Sequence, residues 1–349
     1  WFLDMVLSNY LPWIGDGESQ YGYLLDVDGG VIDDVMVYRE HRGRYLLVVN
    51  AANAEKDLAW LRAMNRGEVI IDRDQPDTDI PRGVEIRNLK DEREAGGDAL
   101  VNLALQGPAS RTVLLELVEG ERAAGSLHRL MKSRFMRAVL AGVEAVVSRT
   151  GYTGEELGYE LLVHPGRAPE LWRSILRAGE DHGVVPVGLG ARDSLRTEAG
   201  LPLHGHELAG PYDIDPLEAG FGPYVKLHKA FFVGREPLLR RMRGQGRAVV
   251  RFRVESRGLR PLKMHDWVVS ARTQQVIGNV TSCAVVTGGQ QVGMACVDRR
   301  HTREGLALEI VPAAAVASGW PERGGGLRMG VKFPLPVRAM VVARFPERF

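Results

Sequence analysis

The amino-acid sequence predicts an α+β chain, with a duplicated strand-and-helix body over residues 1–244 and an antiparallel β-barrel module over 245–349. Three observations carry this reading. Strand-like and helix-like runs alternate in two successive rounds before residue 245. Beyond Gln245 helical periodicity stops and short strand-like runs follow one another. A length of 349 residues also exceeds what one hydrophobic core usually organises.

The elements follow in order. Tyr21, Tyr23, Leu25 and Val27 alternate with Gly22, Leu24 and Asp26, the period of a strand. Asp28-Gly29-Gly30 supplies a turn, and 31–38 and 45–49 continue as strands joined by the polar stretch 41–44. Asn53 is placed to cap a helix, with Glu55 and Asp57 near its first turn and Leu58, Leu61 and Met64 at helical spacing. Residues 68–71 and 84–89 read as short strands around a loop, and the polar loop 90–98 precedes a strand at 99–105. Gly107-Pro108 opens a helix to about 118. In the second round, strands 137–140 and 143–148 flank an Ala-Gly turn, 159–163 is a strand, 169–179 is an amphipathic helix, and 184–188 leads into a helix over 191–199. The duplication rests on this order alone, since the two rounds share no visible sequence repeat. A helix over 235–242 ends at Gly244. Strands at 248–255, 267–271, 276–280, 291–297, 306–311 and 338–344 then predict a small barrel.

Composition narrows the function classes. Hydrophobic residues make up 45% and charged residues 26%, as in ordinary soluble globular proteins. A net charge of +1 and a pI near 8.0 give no electrostatic case for nucleic acid. Cys283 and Cys296 make neither a disulfide framework nor a thiolate metal cage, which fits a reducing compartment. The longest apolar runs, such as 313–317, are too short to span a bilayer, and no signal peptide is visible. The first residue is Trp1 rather than Met, so the chain reads as a fragment.

Four stretches invite chemistry. In Val31-Ile32-Asp33-Asp34-Val35-Met36-Val37-Tyr38, two acids interrupt an apolar strand. Neighbouring strand residues face opposite ways, so one acid points toward the core or a cavity. The plain alternative is a hairpin end with one satisfied acid. Asp34, Met36 and Tyr38 share a face, and Tyr21 on the preceding strand can add an aromatic wall. In the stretch 148–160, three glycines bracket Tyr152, Glu155 and Glu156, a ligand-approach loop or an ordinary hairpin loop; phosphate-loop spacing is absent. Gly188-Leu189-Gly190-Ala191-Arg192-Asp193 imitates a dinucleotide turn, but Asp193 stands where the third glycine belongs and would oppose a pyrophosphate. Arg192 and Arg196 share a helix face; Asp193 or Glu198 can offset their like charges, and the functional alternative is a carboxylate or amine-bearing ligand nearby. His204-Gly205-His206 lacks a third ligand by spacing, so a polar loop is favoured over a metal site.

Taken together these stretches resemble the glycine cleavage system T-protein, or aminomethyltransferase, family. The resemblance runs through GGVIDDVMVY (29–38), LLVVNAANAEKDLAWL (46–61), ALQGPASRTVL (104–114), AGVEAVVSRTGYTGE (141–155), GYELLV (158–163), VGLGARDSLRTEAGLPLHGHEL (187–208) and FVGREPLL (232–239), in order along most of the chain. It implies a folate-binding body of ferredoxin-like units with a C-terminal barrel. It also implies transfer of an aminomethyl carbon from the dihydrolipoyl arm of the H-protein to tetrahydrofolate, with ammonia released and methylenetetrahydrofolate formed. No metal is expected, and the location is cytoplasmic in a bacterium or the mitochondrial matrix in a eukaryote.

By motif position the resemblance selects Asp34 as the catalytic aspartate and Arg192 as an active-site arginine. Tyr21, Tyr38, Asn50, Tyr152 and Glu160 match positions lining the folate pocket, and Arg348 matches more loosely a C-terminal arginine. Several features depart from the family. A strand-bearing segment that precedes this region is absent, the region 72–98 is longer than usual, 155–158 carries one extra residue, and Cys283 follows Thr281-Ser282 where the family commonly has glycine. Related folds serve folate-dependent demethylases and a non-catalytic branch with a KGCYxGQ motif. The corresponding Lys229-Ala230-Phe231 lacks that cysteine, which argues against the branch, and Asp34 in its full motif favours the aminomethyltransferase over the demethylases.

Overall fold

The alternating run around Tyr21 becomes β1 (Glu18–Leu25), preceded by α1 (Phe2–Val6) and followed by β2 (Val31–His41), β3 (Arg44–Val48) and α2 (Ala54–Arg66). These come from a computed structural model, which describes residues 1–244, 246–286, 288–313 and 335–346. The chain then forms α3 (Glu92–Ala95), β4 (Val101–Gln106), α4 (Ser110–Leu117), α5 (Glu121–His128), β5 (Phe135–Leu140), β6 (Val143–Ser148), β7 (Gly158–Val163) and α6 (Ala168–Ala178). Two compact units emerge. The first comprises 1–27, 32–188 and 226–234; the second comprises 28–31, 189–225 and 235–349. Gln245, where the sequence changes character, is outside the described residues.

The first unit holds two sheets. One has the order β1-β2-β3 and the other β4-β7-β6-β5. Period-two burial gives each sheet two jobs. On one face of the first sheet, Leu24, Val35 and Val37 bury against Leu61 and Met64 of α2 and Phe2 and Val6 of α1. On one face of the second, Leu105, Val147, Leu161 and Val163 pack with Val113 and Leu114 of α4 and Leu171 and Ile175 of α6. The remaining faces meet each other through Tyr38, Phe135, Val146 and Leu162, with Met36, Leu46 and Val48 beside them. Helices therefore cover the outer faces, and the inner faces make a sheet-on-sheet layer. Asp34, Met36 and Tyr38 belong to that inner face.

Two expectations need correction. Residues 68–71 and 84–89 are irregular, not strands. Several of their apolar side chains still reach the core, since Val69, Ile71 and Ile86 join the α2 cluster. Their backbone finds other partners: the Asn65 side-chain amide donates to Val84 O (2.8 Å) and its oxygen accepts Val84 N–H (3.0 Å), in place of a strand ladder. Asn53 does stand at the N-cap of α2, but makes no capping bond; its amide donates to Asp33 instead.

The second unit contains α7 (Leu189–Glu198), α8 (Arg235–Arg243) and strands β8 (Arg247–Val254), β9 (Trp267–Ser270), β10 (Val276–Val286), β11 (Gln290–Asp298), β12 (Ala307–Val311) and β13 (Val337–Val342). The strands close into an antiparallel barrel in the order β10-β11-β8-β13-β12-β9, as the sequence predicted. Phe252, Val254, Val268, Val280, Val297 and Ile310 fill its interior. Gly293 is required there, because a Cβ would meet the Phe252 ring at 2.4 Å. Among the described residues no helix is long and apolar enough to cross a membrane.

The segment 226–234 returns to the first unit and is fastened by a buried lysine. Lys229 Nζ donates to the carbonyls of Asp4, Leu7 (2.9 Å) and Asn9 (2.9 Å) and pairs with Asp4 Oδ1 at 3.2 Å. Burial pushes its pKa down, and the Asp4 carboxylate opposes that. Lys229→Met keeps the apolar stem but strands these acceptors. It is expected to lower unfolding free energy by about 2–4 kcal/mol, read from the denaturant midpoint.

Candidate active site

The pleat of β2 sends Asp33 and Asp34 in opposite directions, and each meets a different environment. Asp33 is fully buried on the helix side. Its Oδ2 accepts the Asn50 N–H (2.9 Å), and its Oδ1 accepts the side-chain amides of Asn50 (2.9 Å) and Asn53. Asp34, half-buried, faces the inner layer. Its Oδ2 accepts the Tyr21 hydroxyl at 2.8 Å and its Oδ1 accepts Asn50 Nδ2 at 2.8 Å. One asparagine amide thus bridges both acids, and a tyrosine donates to the other oxygen of the second. Burial first, and then the charge of Asp34, push the Tyr21 pKa well above its ordinary value, so its hydroxyl remains a donor.

A second acid comes from the facing sheet. Glu160 and Leu162 share the inner face of β7. Glu160 Oε1 accepts Asn102 Nδ2 at 3.2 Å; Oε2 accepts the Thr150 hydroxyl and, at 3.4 Å, the Tyr38 hydroxyl. Burial, followed by the nearby Glu160 charge, pushes the Tyr38 pKa up to about 12. Asp34 and Tyr38 stand roughly 13 Å apart along β2. The inner layer therefore presents a carboxylate beside Tyr21 and another beside Tyr38, with the Phe135 ring edge-on to Tyr38 at 5.4 Å.

The glycines of 151–158 have a specific use. Gln106 Nε2 donates to the carbonyls of Thr150 (3.3 Å) and Tyr159 (3.2 Å), while its Oε1 accepts the Thr153 hydroxyl (3.1 Å). A Cβ on Gly151 or Gly158 would meet that Oε1 at 2.0 or 2.3 Å. Both glycines make room for an amide that fixes the loop, and Tyr152 sits half-buried within it.

Residues 1–229 match the family model described as the GCVT N-terminal domain. Over 312 residues the chain is 38% identical to an aminomethyltransferase of Caldanaerobacter subterraneus subsp. tengcongensis, spanning 89% of this chain and 75% of that protein. Over 333 residues it is 38% identical to an aminomethyltransferase of Halalkalibacterium halodurans, spanning 93% and 82%. The chain belongs to the aminomethyltransferase, or T-protein, family of the glycine cleavage system. The fold agrees: the crystal structure of glycine cleavage system aminomethyltransferase T from Bartonella henselae superposes with a TM-score of 0.68 at 26% identity, over 98% of this chain and 79% of that one.

As a T-protein family member the chain is an enzyme, and the first unit brings Tyr21, Asp34, Tyr38, Asn50, Tyr152 and Glu160 onto one sheet-and-loop framework. Arg192 belongs to the barrel unit, where it is exposed on the first turn of α7. Its helix neighbour Arg196 is buried and offset internally, by Asp193 (2.7 Å) and Glu207 (2.6 Å), with Ser282 Oγ at 2.7 Å. Arg348 is outside the described residues. His206 Nδ1 contacts Thr281 O at 3.0 Å, and no metal-binding group of three or more His, Cys, Asp or Glu occurs among the described residues. A cleft of about 280 Å³ in the barrel unit, lined by Arg247, Arg251, Arg299 and Arg344 among others, contains none of the motif-selected residues. Sequence reading missed Asn102, Gln106 and Thr150 as members of the Glu160 cluster; only the glycines facing Gln106 hinted at one of them.

The Tyr38–Glu160 contact makes a spectroscopic prediction. The unfolded chain releases the Tyr38 proton near 10 and the native one near 12, so this group's contribution to stability falls as pH rises through that window. Glu160→Gln removes the charge but leaves the burial. The native tyrosinate absorbance of Tyr38, assigned by comparison with Tyr38→Phe, is expected to move to lower pH without reaching the ordinary value.

Proposed function

We propose that this chain transfers the aminomethyl carbon from the dihydrolipoyl arm of an H-protein to tetrahydrofolate, releasing ammonia and forming 5,10-methylenetetrahydrofolate. The observation that carries the reading is the Asp34 carboxylate, held by Tyr21 and Asn50 on the inner face of β2, within the GGVIDDVMVY stretch that carries the family resemblance. Tetrahydrofolate, when bound, supplies the nucleophilic nitrogen and the site for the one-carbon unit.

The residues suit such a ligand. A reduced pterin offers N–H donors along its edge, and the inner layer offers carboxylate acceptors at Glu160 and Asp34. Tyr21, Tyr38 and Tyr152 add aromatic surface. In this reading Asp34 orients the folate nitrogens and steadies positive charge as bonding develops, because its two oxygens are already fixed and need little reorganisation. Asn50 and Tyr21 position Asp34. The family resemblance assigns Arg192 to catalysis and Arg348 to folate binding, 1–244 to the folate-binding body, and 245–349 to the accessory barrel. Lipoylated H-protein is the macromolecular partner, and the bacterial relatives favour a cytoplasmic setting.

The test supplies tetrahydrofolate and aminomethyl-loaded H-protein and measures methylenetetrahydrofolate and ammonia together. Both products in equal amount support the reading, whereas folate binding without either turns it toward another one-carbon reaction. Asp34→Asn keeps side-chain size and removes the charge. It is expected to lower kcat about 100-fold or more with an unchanged circular dichroism spectrum; normal turnover of the folded variant removes Asp34 from the mechanism. Glu160→Ala is expected to weaken tetrahydrofolate binding roughly 10- to 100-fold by calorimetry while affecting saturated turnover less.

A further inference from the structure

Behind Asp34 lies a carboxyl group that the proposed chemistry does not use. Asp57 occupies the first turn of α2 and is 1% exposed. No described donor reaches either of its oxygens. The acid facing it is Asp33, itself fully buried and bonded by the amide of Asn53, whose backbone carbonyl accepts the Asp57 N–H one helical turn on. Two carboxyl groups share a hydrogen bond only if one carries a proton.

The surrounding donors say which one. Asp33 accepts the Asn50 N–H and two side-chain amides, from Asn50 and Asn53, the environment of a carboxylate. Asp57 accepts none, the environment of a carboxylic acid that donates. The charged groups facing Asp57 are Asp33 and Asp34 from β2 and Lys56 from α2. Burial and then Asp33 push the Asp57 pKa up to about 8, with Asp34 adding to the rise and Lys56 opposing it. Lys56 Nζ is engaged elsewhere, on Ile32 O at 2.7 Å and Asn53 Oδ1 at 3.2 Å.

We propose that Asp57 is a positioning residue: in its acid form it donates to Asp33, and the Asp33 carboxylate so held fixes the Asn50 amide that hydrogen-bonds Asp34. The chain of contacts is Asp57 to Asp33, Asp33 to Asn50, and Asn50 to Asp34. Loss of the Asp57 proton places two negative charges together in the core and loosens Asn50. The link to turnover rests on Asp34 being the catalytic carboxylate; the acid pair itself does not.

The sign of the pH effect follows from linkage. The folded pKa of Asp57 lies above its ordinary 3.8. Between that value and about 8 the native state holds a proton that the unfolded state has lost, so stability falls as pH rises across the window and levels off above it. Asp57→Asn keeps a donor toward Asp33 and removes the titration; Asp57→Ala removes the donor.

The experiment uses the full chain and both variants. Denaturant midpoints and the Asn50 side-chain amide resonances are followed from about pH 5 to about pH 9, with kcat measured in parallel. The native protein is expected to lose stability with rising pH more steeply than Asp57→Asn. Its Asn50 resonances are expected to titrate, while those of Asp57→Asn stay still. Turnover of Asp57→Asn should match the native enzyme at neutral pH and lack its alkaline decline. Asp57→Ala should lose kcat about tenfold or more with little change in KM for tetrahydrofolate. Identical stability slopes, or Asn50 resonances that ignore pH in the native chain, overturn the proposal. A shared proton with native-like kcat in Asp57→Ala overturns its positioning role. If no aminomethyl transfer occurs at all, the functional reading fails, while the slopes and resonances still decide whether Asp57 holds Asn50.

Discussion

The arrangement of this site depends on a single amide. Asn50 donates to Asp33 on one side of β2 and to Asp34 on the other, so two carboxylates that would repel each other are tied to a common donor. Only the end of a neighbouring strand can supply such a group, because it has to reach around the pleat to both faces. The Asn50 backbone N–H, bound to Asp33 at 2.9 Å, locks that strand end in place. With Asp33 consumed by this support, Asp34 is the member of the pair left facing the inner layer.

The two sheets of the first unit give that layer its character. Helices seal each sheet from outside, so polar groups on the inner faces are satisfied by one another. Tyr38 illustrates the economy: its ring packs with Phe135, Val146 and Leu162, and its hydroxyl meets Thr150 and Glu160. Packing and polarity converge on one side chain, and mispairing the sheets would leave both unsatisfied. In the barrel unit, the buried Arg196 does comparable work by joining α7 to Glu207 and to Ser282 of β10.

Much of this was legible beforehand, and for definable reasons. The barrel strands announced themselves because each is a short β-branched run closed by a turn, and the break in periodicity after Gln245 separated them from the helices. The Asp33–Asp34 doublet was legible as a pair of opposite orientation, but alternation alone could not say which acid faced the core. The family resemblance selected Asp34; in the fold Asp33 is fully buried and Asp34 half-buried. Residues 68–71 and 84–89 misled because an apolar side chain needs only a core to reach, whereas a strand also needs a partner backbone, and Asn65 had taken Val84. Asn102, Thr150 and Asp57 stayed invisible because their roles depend on partners brought together by folding; Asn102 and Glu160, for instance, are separated by 58 residues.

Asn53 carries a wider consequence. A residue of the best helix-capping type sits at the start of α2, yet its amide serves Asp33, and the helix begins without the side-chain bond worth about 1 kcal/mol. One orientation of the Asn53 carboxamide serves Asp33 through Nδ2 and Lys56 through Oδ1 (3.2 Å), and leaves that oxygen without a helix N–H. Selection for a sturdier protein and selection for a better-ordered acid pair therefore pull this position in opposite directions. Thermostabilising redesign that optimises each helix in isolation will treat the start of α2 as a defect, when it marks where the fold has given priority to the site.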